Sequence, residues 1–292
     1  MTNETNVKFE SLGAALHDIN TRPARADWDQ SALMSQRIEG DNRPLWSGTK
    51  DFAGAVHLAQ NGWIEGRDNM LSALTGTIQQ IGGLHKAPAI YLDVAGAYPI
   101  AALAAAGETF NMVNLSPVSD RARPVVRLAF SGFVSSAYKP EYIRNYGAAL
   151  LAYVEALEVN DYQCELTYVM HAKDRAGAQR GTFSVVFKAA GEVLDIDRCA
   201  FMLTCPAMFR RIDFAIMERY FPPSFQASYG TPSTLVRGKH FDEDQILLPS
   251  IQTINPDDKV LKSPKLIMDK IAPVIDALLA DRFADFPPLW AE

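Results

Sequence analysis

VVRLAF (125–130), PEYIRNYGAALLAYVEALE (140–158) and CELTYVMHA (164–172) follow one another along the chain, and their reading decides the fold class. The first is dense in β-branched and aromatic residues and is bounded by Pro124 and Gly132, which is the composition of a strand. In the second, Ile143, Tyr146, Leu150, Leu151, Val154 and Leu157 recur at three- and four-residue steps, one face of a long helix. VNDYQ then turns the chain into the third stretch, a second strand. Strand, helix and strand in that order suit a parallel pair joined by a crossover helix.

Toward the C-terminus, TFSVVFKA (182–189) reads as a third strand, so KDRAGAQRG (173–181) joins two antiparallel strands and makes the sheet mixed. The joint is longer than a tight hairpin turn, Gly177 and Gly181 leave it flexible, and Lys173, Arg175 and Arg180 make it basic. A basic loop on a rigid sheet presents a binding site well; a solvated hairpin tip would carry the same residues. Pro206 predicts a helix running to about 220, with Met208, Ile212, Ala215 and Ile216 inward and Arg210, Arg211 and Arg219 outward. Residues 222–245 read as loop, ILLPSI (246–251) as an edge strand, and SPKLIMDKIAPVIDALLADR (263–282) as an amphipathic helix kinked at Pro273.

Toward the N-terminus, Phe52, Val56 and Ala59 predict a helix with Thr49 as N-cap and Gly62 as its stop. A second helical stretch is expected over 68–80, a buried strand at AIYLDV (89–94), and a helix packed through its alanines at AALAAAG (101–107). Residues 1–45 are polar and weakly patterned, with Pro23 and Pro44, and read as a partly mobile arm with one short helix near 31–38. The expected fold is α/β or α+β: a layered mixed sheet flanked by helices, with an unusual topology allowed. A single domain would span 46–292, loop-rich in its C-terminal part.

Charge is unevenly spread. The chain of 292 residues carries a formal net charge of −6. Residues 121–240 hold 15 Lys/Arg against 11 Asp/Glu, while the remainder hold 13 against 23. A positive middle between acidic ends gives a locally attractive surface for polyanions, although solvated faces distribute charge in the same way. Cys164, Cys199 and Cys205 are an odd number among apolar neighbours, which suits reduced, buried thiols. No apolar signal-peptide core opens the chain, and VAGAYPIAALAAAG (94–107) is too short for a membrane span. A soluble protein of the cytoplasm is expected.

Motifs for enzymatic chemistry are missing: no GxxxxGK[ST], no GxGxxG after a strand and no GxSxG. The five histidines lack metal-ligand spacing, and Glu192, Asp195 and Asp197 read as a solvated turn rather than a metal site. No cofactor and no catalytic residue is assigned. VVRLAF, SGFVSS and the long helix after them resemble the von Willebrand A layout, but the aspartate that opens that family's DxSxS metal motif is missing here.

Single-stranded nucleic acid asks for positive side chains along a path and aromatic rings for bases to stack on. Arg121, Arg123 and Arg127 lead into and along the first strand; Tyr138, Lys139, Tyr142 and Arg144 flank the start of the long helix. Lys173, Arg175 and Arg180 follow, then Arg210 and Arg211, then Arg237 and Lys239 with His240. These are the candidate nucleic-acid-binding residues. Tyr138 and Tyr142 suit half-buried packing equally well. The tail DRFADFPPLWAE (281–292) is acidic with an apolar tip, like the partner-contacting tails of single-strand binders, and its Phe283, Phe286, Leu289 and Trp290 also suit docking on the core.

FAGAVHLAQNGWIEG, YGAALLAYVEALE followed by YQCEL, and FKAAGEVLDIDRCAFMLTCPAMFRRIDFAIMER resemble a family of tailed-bacteriophage proteins. Among lytic podoviruses, proteins of this size and character include the Drc-type single-stranded-DNA-binding cofactor of the phage RNA polymerase. The resemblance implies single-stranded DNA as ligand, a phage RNA polymerase as a second partner, assembly into homo-oligomers along the strand, and a place in the host cytoplasm. The alternative is a protein–protein interaction module, a host-takeover factor with a degenerate von Willebrand A-like fold.

Overall fold

The computed structural model describes residues 3–38, 47–68, 70–71, 90–93, 98–99, 112–115, 123–132, 134–229 and 233–283. Its centre is the unit expected from the sequence. Strand β5 (Val125–Ser131) leads to a twenty-residue helix (Pro140–Val159), which returns the chain to β6 (Gln163–Lys173), parallel to β5. Strand β7 (Gln179–Lys188) then folds back antiparallel on β6. β8 (Ile246–Leu247) adds to β5 as a short parallel edge, as ILLPSI suggested.

The opposite edge comes from the N-terminus. Residues Asn3–Phe9, expected within a weakly patterned arm, form β1, parallel to β7 from Asn3↔Gln179 to Phe9↔Val185. The main sheet therefore runs β1-β7-β6-β5-β8, a mixed sheet in an α/β setting. Helix α1 (Leu12–Thr21) follows directly; Ser11 Oγ caps it by accepting from the Ala14 amide, and Leu12, Ala15, Leu16 and Ile19 are buried. In place of the helix near 31–38 there is one 3-10 turn, Gln30–Ala32. A von Willebrand A topology is not indicated: after one strand–helix–strand unit the chain reverses into an antiparallel hairpin.

Helix α2 (Phe52–Asn61) forms where the periodicity placed it, and Gly62 ends it at φ +85°. Its N-cap is Asp51, whose carboxylate accepts from the Gly54 amide at 2.8 Å, rather than Thr49. The long crossover helix is α3, followed by α4 (Ile196–Thr204), α5 (Asp213–Tyr220) and α6 (Pro264–Ala280), which runs through Pro273. A second, three-stranded antiparallel sheet holds β2 (Ile90–Asp93), β4 (Met112–Leu115) and β3 (Tyr98–Pro99) in that order. Of the helix expected over 68–80, residues 68, 70 and 71 are helical and the rest lies outside the described residues, as does the helix expected at 101–107.

Strand alternation sorts the main sheet into two unlike faces. Val126, Leu128, Phe130, Cys164, Leu166, Tyr168, Met170, Phe183, Val185 and Phe187 point to one side and join residues of helices α1 to α6 in one core. The other side carries Arg127, Glu165, Thr167, His171, Thr182 and Ser184, interrupted by Ala129 and Val169. A strap over 233–245 crosses this polar side. Phe241, with Leu235 and Leu247, packs on Ala129 and Val169 in a small separate cluster. All three cysteines are buried and unpaired, and burial pushes their thiols up to about 12.

Candidate functional site

Because β5 and β6 are parallel, the segment leaving β5 and the turn leaving β6 come to the same end of the sheet. Lys139 and Arg144, at the start of α3, share that end with the β6–β7 turn. The turn is tighter than the sequence suggested: Lys173 and Arg180 are cross-strand partners, and only 174–178 lie between the strands. Asp174 organises it. Its amide donates to the Gln179 carbonyl at 3.0 Å, its carbonyl accepts from Gly177, and its buried carboxylate accepts from the Gln179 amide at 3.1 Å. Gly177 holds φ +69°, a value that suits glycine. Gly181 serves packing, not flexibility: a Cβ there would sit 2.5 Å from the Phe221 ring.

On the polar face behind this turn, several of the candidates gather. Arg180 on β7, Lys239 on the strap, and the imidazoles of His171 and His240 lie within electrostatic reach of one another, and Arg180 and Lys239 disfavour protonation of both rings. Glu4 on β1 is the carboxylate among them, 3.7 Å from Lys239 Nζ and 3.9 Å from His240 Nε2. Lys173 and Arg175 are exposed beside this group. The local balance is positive on a molecule that is negative overall.

Other candidates have different employment. Arg123 pairs with Asp161 at 3.4 Å, at the opposite end of the sheet. Arg127 donates to Asp244 at 2.6 Å and approaches Glu165 at 3.6 Å, tying the strap to β5. Arg237 is exposed on the strap, within electrostatic reach of Arg282. Arg121 lies outside the described residues, as does the tail beyond Phe283; Phe283 itself packs edge-on against Tyr162.

Four residues need correction. Tyr138 and Tyr142 are buried, and the Tyr138 hydroxyl donates to the Ile254 carbonyl at 2.8 Å, so neither ring is a stacking platform. Arg210 and Arg211 turn inward. Between Pro206 and α5 the chain makes a π-helical turn, Met208–Ile212, whose extra residue rotates everything after it by about one position relative to a 3.6-residue count. Arg210 Nη2 donates to the Val134 carbonyl at 3.1 Å. Arg211, 2% exposed, donates to the carbonyls of Ser35, Arg37, Thr49 and Lys50. Arg219 is half-buried, bonded to the Arg22 and Ala215 carbonyls.

Sequence reasoning missed His171 as a partner of His240. The rings stack with centroids 3.7 Å apart, and no local pattern joins residues so distant along the chain. A cleft of about 680 Å³ between α1 and the far end of β7, lined by His17, Lys188 and Arg198, is separate from this group. Among the described residues no cluster of His, Cys, Asp or Glu is arranged to hold a metal ion, and no helix is long and apolar enough to cross a membrane.

No curated protein and no solved structure matches the chain. Residues 1–269, from the edge strand β1 into α6, match the family described as Domain of unknown function (DUF7192), and the chain belongs to that family.

Proposed function

We propose that the protein binds single-stranded DNA, without catalysis, across the end of the sheet where the β6–β7 turn, the strap and the start of α3 come together. The observation that carries this reading is the grouping of Lys173, Arg175, Arg180 and Lys239, from two separate segments, at one end of the sheet, with Glu4 paired to Lys239 among them. Lys139 and Arg144 extend the path on the helix side of the same end. With Tyr138 and Tyr142 buried, affinity rests on phosphate contacts, so binding is tolerant of sequence and strongly dependent on salt. Recruitment of a phage RNA polymerase is a further step supported only by the sequence resemblance, and co-purification with that enzyme tests it.

Fluorescence anisotropy with labelled single-stranded and duplex oligonucleotides over a salt series tests the reading. Preferential single-strand binding is expected. Joint reversal of Lys173, Arg175 and Arg180 to Glu should lower affinity at least tenfold and reduce the salt slope by roughly 2. Absence of binding at low salt, or tight binding that ignores salt, overturns it. One observation favours the alternative of a protein–protein module: Leu266, Val274 and Leu278 are exposed along one side of α6. A stable protein complex lost on Val274→Lys would support that reading instead.

A further inference from the structure

We propose that the stacked imidazoles of His171 and His240 form an acid-sensitive latch, holding residues 233–241 against the polar face of the sheet and releasing them when either ring takes up a second proton. The rings come from different elements: His171 from β6 and His240 from the strap. Their planes lie within 20° of parallel, and both side chains are buried.

The hydrogen bonding of His240 fixes its protonation. Its Nδ1 accepts from the Val236 amide at 3.0 Å, so the neutral ring carries its proton on Nε2. A second proton has only Nδ1 to occupy, where it would confront the Val236 N–H and break that bond. The same bond closes a compact turn in which the His240 amide donates to the Val236 carbonyl at 2.9 Å and the Gly238 amide to the Phe241 carbonyl at 2.9 Å. His171 Nδ1 lies 3.1 Å from Thr182 Oγ1 on β7.

The charges around the pair also resist protonation. Arg180 faces it from β7, Lys239 from the strap, and Lys173 follows His171 on the same face of β6. Glu4, from β1, is the opposing carboxylate, and it is shared with Lys239. Burial first, then the His240 ring, then Arg180 and Lys239 push His171 down to about 4, against a hydrogen bond that the ring donates to the Gly181 backbone. Burial likewise holds His240 below its ordinary range, with Glu4 pulling the other way. Rings released into water titrate near ~6.5. Release therefore takes up protons: the closed strap is fully favoured above ~6.5 and loses its advantage as pH falls toward 4. The opening ends at 242–245, because Lys8–Asp242 at 2.8 Å, Arg127–Asp244 at 2.6 Å and Gln245–Thr167 at 2.9 Å pin that part of the strap without histidine.

Amide hydrogen exchange on the full chain, at about pH 5 and about pH 7.5 and corrected for intrinsic exchange, tests the latch. The amides of 236–241 should lose protection by about tenfold or more at the lower pH, with β6 and β7 unchanged. In a His171→Phe/His240→Asn variant, Phe keeps a ring to stack on and Asn an acceptor for Val236. Its strap should then be protected equally at both pH values. Unchanged strap protection in the wild type, or the same acid loss in the variant, overturns the proposal. Should the variant fail to fold, ring titration by NMR in the wild type decides: both rings titrating near ~6.5 with the strap still protected would overturn it as well. No nucleic acid enters the experiment, so its outcome is independent of the single-strand reading.

Discussion

Arg211 and Glu218 meet at one residue of the N-terminal chain: Arg211 Nη1 donates to the Ser35 carbonyl at 3.2 Å, and Glu218 Oε1 accepts from the Ser35 amide at 2.9 Å. Glu218, fully buried, also accepts from the Ser35 and Tyr229 hydroxyls. Two buried charges on consecutive helical segments thus fasten the chain around 35–37 and 49–50 to the core. Arg211→Met should leave several buried carbonyls without a donor and cost about 3 kcal/mol or more, read from urea denaturation. Glu218→Gln, which keeps one acceptor, should cost less, about 1–3 kcal/mol. A near-wild-type midpoint for Arg211→Met would refute this role.

Asp213 predicts a pH effect of defined sign. The Tyr168 hydroxyl lies 2.5 Å from Asp213 Oδ2 and 3.0 Å from the Gly132 carbonyl. One hydroxyl proton cannot serve two acceptors, and a protonated Asp213 supplies the second. Burial drives its carboxyl well above the usual carboxylate range, against the Tyr168 bond and the charge of Arg210. The folded pKa is the higher one, so this contribution is fully present below about 4, the unfolded value, and is lost as pH rises toward the folded value. Asp213→Asn should flatten that part of the stability profile and be more stable than wild type by about 1 kcal/mol at neutral pH. Denaturation midpoints across pH 5–9 check both.

Gly132 leaves no room for a side chain. A Cβ there would fall 1.8 Å from Tyr168 Cζ, in the middle of the network just described. Gly132→Ala should destabilise by about 3 kcal/mol, with the thermal midpoint falling accordingly. A neutral substitution would show that the end of β5 can shift.

Tyr138→Phe separates stability from binding. It removes the donor to the Ile254 carbonyl and should cost about 1 kcal/mol. Single-strand affinity should stay within about twofold, because the ring is buried. A large loss of affinity at unchanged stability would return Tyr138 to the binding surface.

What was legible in the sequence was local. β5, α3, β6 and β7 announce themselves through apolar periodicity that each segment carries alone, and their order fixes a parallel pair and a hairpin. β1 carries almost no such signal: Glu4, Asn6 and Lys8 are exposed, leaving Val7 and Phe9 as its apolar marks, so an edge strand reads as a polar arm. A 3.6-residue count puts Arg210 and Arg211 on the outer face, and the π-helical turn does not obey that count. The turn looked long because charge and glycine mark loops on average, whereas Lys173, Arg180 and Gly181 extend strands. The shared end of the sheet followed from the parallel pair; the stacking of His171 on His240 depends on where a strap crosses, which no neighbouring residue encodes.

The pairing of β1 with β7 also sets an order of assembly. The strand leaves the ribosome before α3, β6 and β7, yet its hydrogen-bonding partner is made only after α3 and β6. Until β7 is made the nascent chain carries an unmatched strand, a standing invitation to pair with another chain. Glu4, Asn6 and Lys8, one on every outward position, make that early strand a poor template for aggregation while it waits.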